Sequence, residues 1–422
     1  MDRAFLFEEH ASVLPHWVGR HVHGATLVCL DAHLDLQFIE PARIAQLRAC
    51  RDAAAVAALE SPHPLSPRRD ACYGIEDFLY AAAQLGVVGR LVWVAPPHVL
   101  AEMGAALRAL RQMEGVTPED IASFQRMPGG WFEGRLLGVE LVVGALEELV
   151  ALPLPEPVLV DIDTDYFVQV PEDRLWVRPQ AVLRQLRNWL GAGRELTIAR
   201  SVSSGFLPLR HRFVSDLLAA LWEGRAEDVA HGQGLLDMEL SGLPLPALPG
   251  NDDLLRRLGE IRAHGRPVDL ASVLALRREV ERSEEDGERR ATEWILLGQL
   301  YAAFGNAAEA SECHEQAEIA FGGHPDLALQ VGKLELAAGH PQEALPWLHL
   351  AAQDDETRVA AWYHLALCAA ALNDPAQGWR WAHAAHEAAP AWDGCGQLER
   401  VLAGAAAQPG YDHALAARSS VG

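Results

Sequence analysis

Cysteine is sparse and scattered. The six residues, Cys29, Cys50, Cys72, Cys313, Cys368 and Cys395, form no CxxC pair and no dense framework, which excludes a disulfide scaffold of the secreted type and leaves reduced, mostly buried thiols as the expectation. Positive charge is also short: 35 Lys plus Arg face 58 Asp plus Glu, a formal charge of −23. Such a field repels a phosphate backbone, so no nucleic-acid partner is expected, and it suits a cationic substrate or partner. Long apolar runs are missing as well. No uncharged stretch reaches the ~18 residues of a membrane span, and "MDRAFLFEEH" lacks the basic and apolar regions of a secretory leader. No membrane association is expected, and the expected location is cytoplasmic.

What is present is length and apolar content: 422 residues, half of them hydrophobic, enough for two or three domains. From residue 1 to about 250, short apolar runs alternate with longer amphipathic ones, as in a sheet with crossover helices. The candidate strands are 4–7, 26–30, 91–94, 141–144, 158–160 and 196–199. Several run straight into polar clusters: "EEH" (8–10), "DAHLD" (31–35), "PPH" (96–98), "DIDTD" (161–165) and "RSVSSG" (200–205). In a parallel α/β sheet, ligand and catalytic groups gather outside the carboxyl ends of the strands, so these clusters can meet at one rim.

The proline-rich "SGLPLPALPGNDD" (241–253) and the charged "LRREVERSEEDGERRATEW" (276–294) interrupt this pattern. They mark 251–290 as a linker with a solvated charged helix between residues 1–250 and a second domain. Beyond it a period of 34 residues sets in: Gly305, Gly339 and Asn373 align, as do Ala310, Ala344 and Gly378, then Ala317, Ala351 and Ala385. This resembles the tetratricopeptide repeat, whose helix pairs place small residues where the helices touch and Gly or Asn in the left-handed turn between them. Three units fit, at 291–324, 325–358 and 359–392, with 393–406 as a capping helix and 407–422 as a tail. Such arrays usually hold a peptide or protein in their concave groove.

Asp31, His33 and Asp35 alternate after the apolar run of "LVCLDAHLDL", so on an extended segment their side chains point one way. "VLVDIDTDYF" again ends an apolar strand in alternating carboxylates, Asp161, Asp163 and Asp165, which cannot crowd near a dry core without a cation. Oxygen-rich ligation with one or two imidazoles selects a hard to borderline divalent ion, most naturally Mn²⁺, with Zn²⁺, Fe²⁺ or Co²⁺ as substitutes. The number of carboxylates suggests about two ions per chain, which together supply a nucleophile and charge stabilisation.

"DAHLD" resembles the DAHxD signature of the arginase-like ureohydrolases, and "DIDTD" their second, DxD-containing metal motif. The series "EEHASVLPHW", "DAHLDL", "DIDTDYF", "TIARSVSSGFLP" is similar to the peptide arginase group, which converts arginine in ribosomal peptides to ornithine with release of urea. The resemblance covers about residues 1–215 and leaves the repeats outside. It implies an α/β three-layer fold, a mostly parallel sheet with helices on both faces, followed by the all-α repeat domain. It implies further that Asp31 bridges two ions, that His33 binds one and Asp35 the other, and that His10 supplies the N-terminal histidine ligand. The DxD motif maps onto either Asp161 with Asp163 or Asp163 with Asp165, so Asp163 is a ligand in both registers. Arginases follow their DxD with glycine and a "DP" step, whereas "YF" follows here. A free-amino-acid pocket is therefore not implied, and an arginine-containing precursor peptide, held by the repeats, is the expected partner.

Asp31, His33 and Asp163 are thus the expected catalytic residues, with His98 of "WVAPPH" as a candidate proton shuttle against its reading as a loop histidine. Carboxylates beside the metals would orient a guanidinium by paired hydrogen bonds. The candidates are Glu8, Glu9, Glu76 and Asp77, the last two also readable as the acidic first turn of a helix, with Ser203 as a further substrate contact. A single-metal deacetylase of the same architecture and a non-catalytic peptide-binding adaptor are the alternatives. Oligomeric state is left open.

Overall fold

The structure, a computed structural model, describes residues 2–61, 63, 70–101, 110–111, 113–169, 172–246, 253–264, 269–285, 287–304, 306–321 and 325–406. The chain divides into two compact units, residues 1–107 with 119–285 and residues 108–118 with 286–422.

The first unit is built on an eight-stranded sheet: β1 (Arg3–Phe7), β2 (Ala25–Leu30), β3 (Val88–Val94), β4 (Gln125–Arg126), β5 (Phe132–Leu136), β6 (Val139–Gly144), β7 (Val158–Asp163) and, after the small hairpin β8 (Val168–Gln169) and β9 (Arg174–Leu175), β10 (Glu195–Ala199). The order across it is β1-β10-β7-β2-β3-β6-β5-β4, parallel from β1 to β6 and antiparallel over the last two pairings. β2 is buried at every residue, as a central parallel strand covered on both faces must be. Val28, Val92, Val160, Leu196 and Ile198 form one apolar core with Leu186 of the helix Pro179–Leu190 and with Leu217 and Trp222 of the helix Phe213–Glu223. All six strands expected from sequence are present. The β4–β5 edge and the β8–β9 hairpin were not expected.

The stretch read as linker and charged helix holds two helices, Leu254–His264 and Leu270–Arg282, and the division between the units falls after residue 285. Val273, Leu276 and Val280 recur every three or four residues and are buried, so this charged helix has an apolar face as well as a solvated one. Residues 247–252, in the proline-rich passage, lie outside the described residues.

The second unit is helical: Gly287–Ala303, Ala307–Phe321, Pro325–Ala337, Pro341–Ala351, Arg358–Ala371, Pro375–Ala388 and Asp393–Ala406. The helices starting at Ala307, Pro341 and Pro375 are one sequence period apart. Gly339 and Asn373 adopt left-handed φ of 84° and 59° in the turns between helices. A Cβ on Gly298 would lie 2.6 Å from His314 Nε2, and one on Gly332 2.6 Å from Leu348, so small residues stand where helices touch. Gly305 and the tail 407–422 lie outside the described residues. Residues 108–118 also belong to this unit, and Asp393 N donates to Val116 O at 2.9 Å. Among the described residues no helix is long and apolar enough to cross a membrane.

Candidate metal centre

Four adjacent parallel strands deliver the polar clusters to one edge. β1 runs into Glu8, Glu9 and a 3-10 turn at His10–Ser12, β2 into Asp31, β7 ends on Asp163, and β10 runs into Ser201. Leu30 pairs with Ile162 and Ala199 with Asp163, so Asp31, Asp163 and the start of the 200–206 loop stand level. This is the carboxyl rim where open α/β sheets place ligands.

Around that rim the side chains converge. His10 Nδ1 lies 3.0 Å from Asp35 Oδ2, 3.2 Å from Asp31 Oδ2 and 3.3 Å from Asp163 Oδ2. His33 Nδ1 lies 2.8 Å from Asp165 Oδ2 and 3.9 Å from Asp31 Oδ1. Asp31 therefore turns one oxygen to each histidine. His10, Asp31 and Asp35 form one group of donors close enough to hold a cation, and Asp31, His33 and Asp165 another, sharing Asp31.

A third such group, His10, Cys29 and Asp161, lies on the other edge of the His10 ring. There Nε2 stands 2.6 Å from Asp161 Oδ2, a hydrogen bond on the ring edge away from Asp31, Asp35 and Asp163. Burial pushes the Cys29 thiol well above its ordinary pKa. Asp161 thus sits behind His10, while Asp163 and Asp165 face the cluster.

The arrangement is braced from outside. Ser201 Oγ donates to Asp163 Oδ2 at 2.6 Å, Thr197 Oγ1 to Asp161 Oδ1 at 2.5 Å, and Trp93 Nε1 to the Asp31 carbonyl at 2.9 Å. The Phe78 ring packs 4.6 Å from His10. Asp35 and Ser201 hold left-handed φ of 45° and 52°, a conformation that costs a non-glycine residue about 1–3 kcal/mol and persists where surrounding contacts over-determine it.

The charges do not balance without a cation. Burial, joined by the charges of Asp35 and Asp165, raises the Asp31 carboxyl well above its usual range, and Asp31 Oδ2 is buried without accepting a hydrogen bond. Asp163 is pushed up to about 6 by burial and by Asp165. Burial opposes protonation of His10, but Asp161 and Asp163 outweigh it and hold His10 well above its ordinary value; at the half-exposed His33 partial desolvation is outweighed by Asp165, which lifts it to about 10. Burial also works against the Asp165 carboxylate, yet His33 holds its pKa below the usual value. An orphaned carboxylate oxygen among four carboxylates and two imidazoles fits a divalent ion, and buried His, Asp and Cys groups able to hold one are present.

Burial raises Glu9 to about 8 and Asp77 to about 8. The folded metal-free protein keeps these protons, and that on His33, at pH values where the unfolded chain has lost them. Folding then takes up protons, so stability falls as pH rises, from the usual carboxylate range through about 8 for the two carboxyls and from the usual imidazole range toward about 10 for His33. Urea denaturation of chelator-treated protein should give a lower midpoint at pH 8 than at pH 5.5. A higher midpoint at pH 8 would contradict these shifts.

The other candidates have different surroundings. Glu9 Oε1 accepts from Ser204 N at 2.8 Å, while Oε2 is buried without a partner. Glu8 faces Arg212 at 3.2 Å and Arg200 at 3.7 Å and accepts from Ser203 Oγ at 3.2 Å, so its charge is answered within the chain. Asp77 accepts from Gly74 N at 2.7 Å just before the helix Phe78–Gln84, and Glu76 receives a 3.4 Å contact from Gln37 Nε2 and feels the charge of Arg262. His98 lies in the turn Pro97–Leu100, its ring 6.1 Å from Trp176, with no hydrogen bond or ion pair to the cluster among the described residues. Thr197 and Phe78 escaped the sequence reading; Ser201 lies in the "RSVSSG" cluster expected at the rim, and what the sequence did not show is that it bonds Asp163. Thr197 pairs with Asp161 across β10 and β7, a register that only the assembled sheet reveals. Compared with protein-family models, with curated proteins and with solved structures, the chain matches none.

Proposed function

We propose that the first unit is a two-metal hydrolase of guanidino groups, Mn²⁺ being the natural ion, which converts arginine residues of a ribosomally made peptide to ornithine and urea. The observation that carries this reading is the double donor set sharing Asp31, with the Glu9 carboxyl within the field of Asp163. His10, Asp31, Asp35 and Asp163 would hold one ion, and Asp31, His33 and Asp165 the other. Such a pair supplies a nucleophile at neutral pH and charge stabilisation of the intermediate.

The remaining work falls to the chain. Accepting the Nε2 proton of His10, Asp161 fixes the tautomer that leaves the Nδ1 lone pair facing the cluster. Ser201 and Thr197 fix the two carboxylates of β7. Glu9 offers Oε2 to a guanidinium, whose positive charge would displace the proton that burial keeps there. The acidic balance of the chain favours approach of a cationic substrate. Urea and ornithine formed on incubating the protein with Mn²⁺ and an arginine-containing peptide would support this reading. Metal uptake with neither product would leave it without a reaction.

For the second unit we propose a tetratricopeptide-like array that holds the precursor peptide and raises the local concentration of its arginines. A chain ending at Glu285 should lose about 10-fold or more in kcat/KM on a full-length precursor, with little loss on a short arginine peptide. Equal losses on both would assign the helices another role.

A further inference from the structure

The helix Leu254–His264, in the stretch that reads as a linker, lies against the loop that braces the metal centre. The loop 200–206 makes four contacts with it: Ser201 Oγ to Asp163 at 2.6 Å, Ser203 Oγ to Glu8 at 3.2 Å, Ser204 N to Glu9 at 2.8 Å, and the Phe206 ring 5.1 Å from that of His33. The outer side of the loop meets the helix backbone to backbone. A Cβ added to Gly259 would lie 2.6 Å from the Ser204 carbonyl oxygen. One added to Gly205, whose φ is 86°, would run into the backbone of Gly259 and Glu260. The buried Arg256 pairs with Glu260 at 2.5 Å one turn away, and near the far end Arg262 comes within the field of Glu76. The helix therefore meets the loop whose Ser203 and Ser204 hold Glu8 and Glu9.

We infer that this helix is a clamp for the metal centre and that Gly259 is a positioning residue. It lets the helix approach closely enough to keep Ser201 on Asp163 and Ser204 on Glu9. The inference rests on the proposed metal centre and adds to it a component outside the resembling region. A glycine inside a helix normally lowers stability by about 1 kcal/mol relative to alanine. Gly234, in the helix Ala226–Leu240, has nothing within 4 Å of an added Cβ and supplies the control.

Mn²⁺ titration by calorimetry of the full chain tests the clamp, alongside thermal unfolding of the metal-free proteins. Gly259→Ala should weaken Mn²⁺ binding by about 10- to 100-fold, the range seen when groups orienting metal ligands are altered, whereas Gly234→Ala should leave it unchanged. Should Gly259→Ala fail to fold, hydrogen exchange on the unaltered protein gives the second readout: Mn²⁺ should slow exchange in residues 254–264 as well as in 200–206, because coupling between sites is reciprocal. Unchanged affinity in Gly259→Ala, or protection confined to the loop, overturns the clamp. An unaltered protein that takes up no divalent ion overturns the metal centre itself, and the clamp with it.

Discussion

Asp163→Asn protein should bind Mn²⁺ more than about 100-fold more weakly than the unaltered chain and release no measurable urea, while Asp161→Asn should lose about 10- to 100-fold, the range of an orienting group. The two carboxylates stand on the same strand and face different partners. Asp163 Oδ2 lies 3.3 Å from His10 Nδ1, on the side where Asp31 and Asp35 also converge. Asp161 Oδ2 meets the opposite nitrogen of that ring at 2.6 Å and receives Thr197 on its other oxygen. Asparagine at 161 keeps the shape but gives up one acceptor, so His10 loses its fixed tautomer rather than its place. Metal content after dialysis, read with the calorimetric affinity, decides the matter. If Asp161→Asn empties the site and Asp165→Asn leaves it full, the ligand register is the other one.

Glu9→Gln protein should retain its metal and lose about 10- to 150-fold in kcat/KM on arginine peptides, the value of a hydrogen bond to a charged group at about 1.5–3 kcal/mol. Among the described residues Glu9 is the candidate carboxyl with no arginine acting on it: Arg200 and Arg212 engage Glu8, Glu76 feels Arg262, and Asp77 feels Arg43. Its Oε1 accepts from Ser204 N, and its Oε2 is buried with no hydrogen-bond partner among the described residues. A glutamine of the same shape keeps the Ser204 contact and cannot answer a guanidinium charge. Kinetics at saturating Mn²⁺ separate substrate binding from metal loss. An unchanged kcat/KM would move recognition of the guanidinium elsewhere.

Much of the first unit is legible in its sequence because each parallel strand is an apolar run that stops at polar residues. β2 and β7 announce both their burial and their functional ends in "LVCLDAH" and "VLVDID". The antiparallel edge is not legible: "FEGRL" mixes a charge, a glycine and an arginine, and its turn into β6 places Leu137 as well as Gly138 at left-handed φ, 52° and 79°. A leucine gives no warning of that conformation, which two-residue hairpins require. At the metal centre the residue types are legible and the register is not. Whether Asp161 or Asp165 faces the ions depends on how β7 lies against β2 and on where the 3-10 turn after β1 sets His10, and both are contacts across more than a hundred residues. The partner of Ser201 was hidden for a similar reason: the serine stands in a cluster expected at the rim, but it reaches Asp163 from a left-handed backbone.

Among the described residues β1 is the outermost strand of the sheet and pairs with β10 alone, and β10 is the last strand. During synthesis, the segment that carries Glu9 and His10 thus has no strand to join until some 190 further residues have emerged. Closing so long a loop is a slow, non-local event. Asp31, His33 and Asp165 need only the pairing of β7 with β2, whereas the group around His10 also needs β1 in place. The candidate donor set therefore depends on two separate assembly steps, and the second needs the same insertion of β10 that brings Ser201 to Asp163.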